Sequence, residues 1–125
     1  MVERFLTHED DQLRYIALEV LTNHWRLAEH WQTARDFLEH DPDEDCRRMG
    51  ASSLEALKMN TKDRPTLAVL ARVVCNEQED KMVRESAYSA MKGVIHFDPR
   101  EQLKMACKGL NLSQDVDWDI VKSYL

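Results

Sequence analysis

Apolar positions recur along this chain with the spacing of one buried helical face, and the pattern occurs three times. With Leu13, Cys46 and Val83 as position zero, apolar or small residues fall at zero, +4, +7 or +8 and +11. The first copy gives Leu13, Ala17, Val20 and Leu21, with His24 in the last place. The second gives Cys46, Gly50, Ser53, Leu54 and Leu57, and the third Val83, Ala87, Ala90, Met91 and Val94. That period predicts three amphipathic helices, each burying a stripe. The polar positions are as regular. Asp10, Asp43 and Asp80 stand three residues before each anchor, where a carboxylate caps free amides and suits the positive end of the helix dipole. Arg14, Arg47 and Arg84 follow the anchors directly. The anchors lie 33 and 37 residues apart, and an internal repeat of that period predicts a helical solenoid.

A second helix fits into each interval. Leu27, Trp31, Ala34, Phe37 and Leu38 hold a period near 3.6 after the first motif. Leu67, Leu70, Ala71, Val74 and Cys75 do so after the second, opened by Asp63-Arg64-Pro65. Leu103, Ala106, Cys107 and Leu110 follow the third, where Asp98-Pro99 is an N-cap with Pro at the first helical position. The organisation is therefore one domain, 1–125, with a partial repeat at 1–24, repeats at 26–58 and 64–95, and a degenerate terminal repeat at 99–125. Arg4-Phe5-Leu6-Thr7-His8 matches Asp36-Phe37-Leu38-Glu39-His40, so the chain is expected to open near the end of the helix that precedes a motif, with most of that helix missing. Asp117-Trp118-Asp119-Ile120 keeps an Asp three residues before an apolar anchor but lacks the following Arg. Terminal repeats with one covered side are expected to depart from the pattern.

Composition adds little to this picture and excludes a few classes. Three Gly, three Pro and few β-branched runs favour helices over strands. No apolar stretch is long enough to span a bilayer, and Glu3 and Arg4 interrupt any signal-like start, which gives cytoplasmic as the expected location. Cys46, Cys75 and Cys107 form no Cys-x-x-Cys and are expected to be reduced and buried. A net charge of −6 without a run of Lys and Arg argues against nucleic acid as a partner.

The run Asp41-Pro42-Asp43-Glu44-Asp45-Cys46-Arg47-Arg48-Met49-Gly50-Ala51 resembles the HEAT-repeat consensus of an Asp-rich turn, an apolar residue, Arg and then small residues. Asp80-Lys81-Met82-Val83-Arg84-Glu85-Ser86-Ala87 is equally close. The resemblance spans roughly residues 1–110. It implies an all-α fold: a right-handed α-α superhelix of about three HEAT-like helical hairpins with partial terminal repeats. It also implies that Asp10, Arg14, Asp43, Arg47, Asp80 and Arg84 form a structural ladder linking neighbouring repeats, with looser packing where Cys46 and Gly50 depart from the consensus. Some relatives with such repeats act on phycobilin chromophores, excise alkylated bases from DNA, or hold a di-iron centre through paired His-Glu dipeptides. This chain has one such dipeptide, His8-Glu9, in a turn.

No catalytic set, cofactor or metal site is expected from the side chains. His8, His24, His30, His40 and His96 show no His-x-x-x-His spacing, and zinc needs three or four convergent ligands. The acidic turns lack the central Gly of a calcium loop. Ser52 and Ser89 have no base at a suggestive position. Trp31 is expected in the core, Trp25 in a turn, and Trp118 either capping the core or meeting a partner. The motif helices instead predict an outward face at +2, +5, +6 and +9, comprising Tyr15, Leu18, Glu19 and Thr22, then Arg48, Ala51, Ser52 and Glu55, then Glu85, Tyr88, Ser89 and Lys92. The resemblance places these helices on the concave side. Tyr15, Leu18, Glu19, Arg48, Ser52, Glu55, Glu85, Tyr88 and Lys92 are therefore the expected partner-binding residues. The expected function is a non-enzymatic scaffold or adaptor binding another protein. The alternatives are an enzyme or subunit of the lyase or DNA-glycosylase type, and a piece of a longer repeat array. Self-association through uncapped ends is a further expectation, motivated by the apolar tail Val121, Tyr124 and Leu125.

Overall fold

Aspartate side chains start nearly every helix of this protein. The computed structural model describes residues 1–125 and contains helices and turns but no strand. After a 3₁₀ turn at Val2–Thr7, the α-helices are α1 (Asp11–Glu19), α2 (Trp31–His40), α3 (Glu44–Lys58), α4 (Arg64–Cys75), α5 (Lys81–His96), α6 (Pro99–Lys108) and α7 (Trp118–Lys122). Asp10 accepts from the Gln12 amide, Asp43 from Cys46, Asp63 from Thr66, Asp80 from Met82, Asp98 from Arg100 and Asp117 from Ile120. Each bond satisfies an amide that the helix cannot pair internally. Only α2 lacks a side-chain cap; it follows a 3₁₀ turn at Ala28–His30. At its other end, α1 runs on into a π-helical turn, Val20–His24.

The chain forms two compact units, Met1–Leu57 and Lys58–Leu125. In the first, the core gathers Ala17, Leu18 and Leu21 from the first motif helix, Ala34, Phe37 and Leu38 from α2, and Cys46, Met49, Ala51 and Leu54 from α3. Gly50 sits where α3 meets α2. A Cβ there would stand 2.5 Å from the Leu38 nitrogen and 2.7 Å from the Ala34 carbonyl oxygen. Backbone cannot yield as a side chain can, so only glycine allows this approach. The expected loosening at Cys46 and Gly50 is thus reversed. Cys46 is fully buried with its Sγ 3.3 Å from the Asp11 carbonyl, and Gly50 brings the two helices together.

In the second unit, α4 and α5 form an antiparallel hairpin whose core includes Leu67, Leu70, Val74, Val83, Ala87, Met91 and Val94. The loop before α4 closes the end of α5. The amides of Asn60 and Lys62, both at positive φ, donate to the carbonyls of Gly93 and Val94, and Asn60 Oδ1 accepts from the Phe97 amide. These bonds occupy carbonyls that a helix C-terminus leaves without partners. Helix α7 returns against α4: Val121 is buried and the Arg64 guanidinium lies 5.4 Å from the Tyr124 ring centre.

Several expectations of burial fail, for identifiable reasons. Helix α6 buries no residue, and its predicted stripe of Leu103, Ala106 and Cys107 faces out, with Leu103 65% exposed. Polar bonds set its rotation instead. Ser89 Oγ donates to Gln102 Oε1 at 2.8 Å, Gln102 Nε2 donates to the Ser89 carbonyl, and Lys92 pairs with Glu101 at 2.7 Å. These ties turn the polar side of α6 toward α5. Of the cysteines only Cys46 is buried; Cys75 is half-buried and Cys107 exposed. Trp31, expected in the core, is half-buried, whereas Trp25 lies in a turn as expected, 56% exposed, and Trp118 is half-buried.

Candidate interaction surface

The side chains that stay outside define what each unit can offer a partner. In the first unit, the turn preceding each motif helix is stitched by its arginine. Arg14 Nη1 donates to the carbonyls of His8 and Glu9, and Arg47 Nη1 to those of Asp41 and Pro42. Arg14 also forms a two-pronged pair with Asp41, Nε to Oδ2 and Nη2 to Oδ1, both at 3.0 Å and largely shielded from water. That bond, with Asp41 countering the cost of burial, raises the Arg14 pKa still further. Asp41 in turn accepts from the Asp43 amide, so one carboxylate joins two successive turns. Burial works against charge on Asp43, but bonds from the Cys46 and Asp45 amides outweigh it and hold its carboxyl below the usual range. Arg84 behaves differently: its Nε donates to the Val74 carbonyl at the end of α4. The cysteine amid these charges is inert. Burial, reinforced by Asp41 and Asp43, pushes the Cys46 thiol up to about 12.

The nine residues of the predicted contact face divide sharply. Leu18 is 0% exposed and Tyr88 5%, and their equivalent in the second copy, Ala51, is also buried. Leu18 and Tyr88 are therefore core residues, not contacts. The reason is that a motif helix covers two flanks. One turn beyond Leu18, the buried Thr22 Oγ1 lies 2.7 Å from Ser53 Oγ of α3, so that flank of the first helix meets α3. The Tyr88 hydroxyl accepts from the Asp117 amide at 3.2 Å, which ties the ring to the C-terminal segment.

The others are partly accessible. On α1 and α3, Tyr15, Glu19 and Arg48 gather within electrostatic reach of one another. Burial raises the Tyr15 pKa, Glu19 and Asp45 raise it further, and Arg48 opposes them. Arg48 is 3.6 Å from Asp45. Ser52 Oγ lies 3.4 Å from Asn23 Oδ1, and Asn23 Nδ2 approaches Met49 Sδ at 3.3 Å. Glu55 is half-buried, and that burial lifts its carboxyl to about 7. In the second unit Glu85 pairs with Lys81 at 3.7 Å, and Lys92 with Glu101; the bond to Glu101 raises the Lys92 pKa. A cleft of about 240 Å³ opens beside Tyr88 and Lys92, lined also by Lys104, Met105 and Lys108 of α6 and by the following loop at Leu110 and Asp115. Sequence periodicity did not reveal this cleft, because it depends on the rotation of α6.

The repeated capped helices, the arginine-stitched turns and the tight hairpins match what a family comparison finds: a model described as HEAT repeats covers residues 1–92. The chain belongs to the HEAT-repeat family. The match ends within α5, so α6 and α7 lie beyond the HEAT-like segment. No curated protein and no solved structure matches the chain. No three His, Cys, Asp or Glu side chains form a group able to hold a metal ion. No helix is long and apolar enough to cross a membrane.

Proposed function

We propose that this HEAT-repeat protein is a non-enzymatic protein-binding module, and that Tyr15, Glu19, Arg48, Ser52 and Glu55 on α1 and α3 contact the partner. HEAT repeats in general serve as protein-interaction surfaces, since stacked hairpins expose an extended row of helices. The observation that carries the reading is the cluster of Tyr15, Glu19 and Arg48. It sets an aromatic ring and both signs of charge in one half-exposed patch on a packed scaffold. Tyr and Arg are residues on which interface energy concentrates. The cleft beside Tyr88 is small for an enzyme's substrate. At about 240 Å³, it falls below the roughly 300–1,000 Å³ common for small-molecule pockets. The acidic balance of the chain favours protein over nucleic acid as the partner. A cytoplasmic location is part of this proposal and suits three cysteines without a disulfide.

The test is affinity capture from the source cell with the parent chain and with Tyr15→Ala/Arg48→Ala. Unfolding is followed by circular dichroism to confirm that the variant stays folded. Selective loss of a captured partner is expected. A folded variant that captures every partner as the parent does removes α1 and α3 from the reading.

A further inference from the structure

Helix α6 carries Arg100, Lys104 and Lys108 at four-residue spacing, so the three cations share one face. All three are exposed and none joins an ion pair. The acidic groups nearby are already engaged. Glu101 is held by Lys92 at 2.7 Å, and Asp115 Oδ2 accepts from the Asn111 amide at 2.7 Å. The helix dipole accounts for Lys108 in the last turn, but not for Lys104 in the middle of the helix or for Arg100, which stands in the first turn where a cation is disfavoured. In a chain of net charge −6 this is a local inversion of sign. Lys104 and Lys108 also form one wall of the 240 Å³ cleft, whose apolar lining comes from Met105, Leu110 and the Tyr88 ring. That space suits one or two side chains.

We propose that this cleft and the cationic face of α6 receive an acidic peptide segment of a partner protein, with carboxylates on Lys104 and Lys108 and an apolar side chain against Met105 and Leu110. The proposal rests on the protein-binding reading and places a specific recognition element in the second unit. Charge complementarity selects the occupant. Glu101 and Asp115 also line the recess, but both are already bonded, to Lys92 and to the Asn111 amide; the unpaired cations beside its apolar wall therefore call for alternating acidic and apolar groups, and three cations are too few for the basic track of a duplex-binding surface.

The test is fluorescence anisotropy of a labelled synthetic peptide alternating Glu and Leu, titrated with the full chain at low salt. A Lys/Leu peptide, free glutamate and a DNA duplex serve as comparisons. Binding of the acidic peptide is expected to weaken with salt and to weaken roughly tenfold or more in Lys104→Glu/Lys108→Glu. Should charge reversal disturb folding, Lys104→Gln/Lys108→Gln gives the same readout with less repulsion. Equal peptide binding by parent and folded variants overturns the proposal. So does displacement by free glutamate at the peptide's own concentration, tighter binding of the duplex, or a dimer in light scattering that the lysine variants abolish while peptide binding is absent. If the parent captures a partner through Tyr15 and Arg48 yet the peptide fails to bind, the cleft proposal falls and the protein-binding reading stands.

Discussion

Gly50 shows how much a single residue can decide. Its missing Cβ lets α3 lie against the backbone of α2 at Ala34 and Leu38. Gly50→Ala is expected to cost about 1–3 kcal/mol, because overpacking against backbone must be relieved by moving a helix. Urea denaturation measures it, and a midpoint unchanged from the parent would show that α2 shifts freely. Arg14 illustrates the opposite economy. One guanidinium answers two turn carbonyls and a shielded carboxylate at once, a geometry that lysine lacks. The sequence made Arg14, Arg47 and Arg84 look alike. The structure separates Arg84, whose Nε reaches the end of α4.

At the scale of elements, helices differ in what holds them. Helices α4 and α5 are pinned by a shared apolar core, whereas α6 buries no side chain and is held to α5 by Ser89, Gln102, Lys92 and Glu101. Polar ties at a wet surface stabilise far less than apolar burial. Native-state hydrogen exchange should therefore show the α6 amides opening well before those of α4 and α5, as a local rather than a global event. Protection of α6 equal to that of α5 would contradict this account. The start of every helix but α2 was legible because capping is local: an Asp and the amides two or three residues on are sufficient. The rotation of α6 was not legible. Its apolar stripe fitted a buried phase as well as any other, and only the bonds across to Ser89 and Lys92 decide between phases.

For the molecule as a whole, the raised pKa of Glu55 links stability to pH. Burial lifts the native carboxyl to about 7, from an ordinary value of 4.5. Between those values the native state holds the proton that the unfolded chain has released, so stability falls as pH rises. The loss is complete above 7 and absent below 4.5. Discounted for the share of Glu55 that water still reaches, it amounts to about 2 kcal/mol. Glu55→Gln, which resembles the protonated acid, should be more stable than the parent at pH 8 by about that amount and equal to it near pH 4. Thermal unfolding across this range gives the comparison, and a pH-independent difference would assign the effect to packing instead.

The sequence by itself determined the helices, their caps, the repeat and much of the buried stripe, because each rests on interactions within a few residues or on a period along one helix. Membership of the HEAT-repeat family was legible for the same reason, in the recurring Asp, apolar residue and Arg. Tertiary structure alone decided which outward positions remain outward. Leu18, Ala51 and Tyr88 disappear into the core because a helix in a repeat array has neighbours on two flanks, while a periodic pattern reports a single phase. It alone also formed the cleft of Tyr88, Lys104 and Lys108, since that recess exists only once polar bonds have turned α6 and the loop behind it has closed.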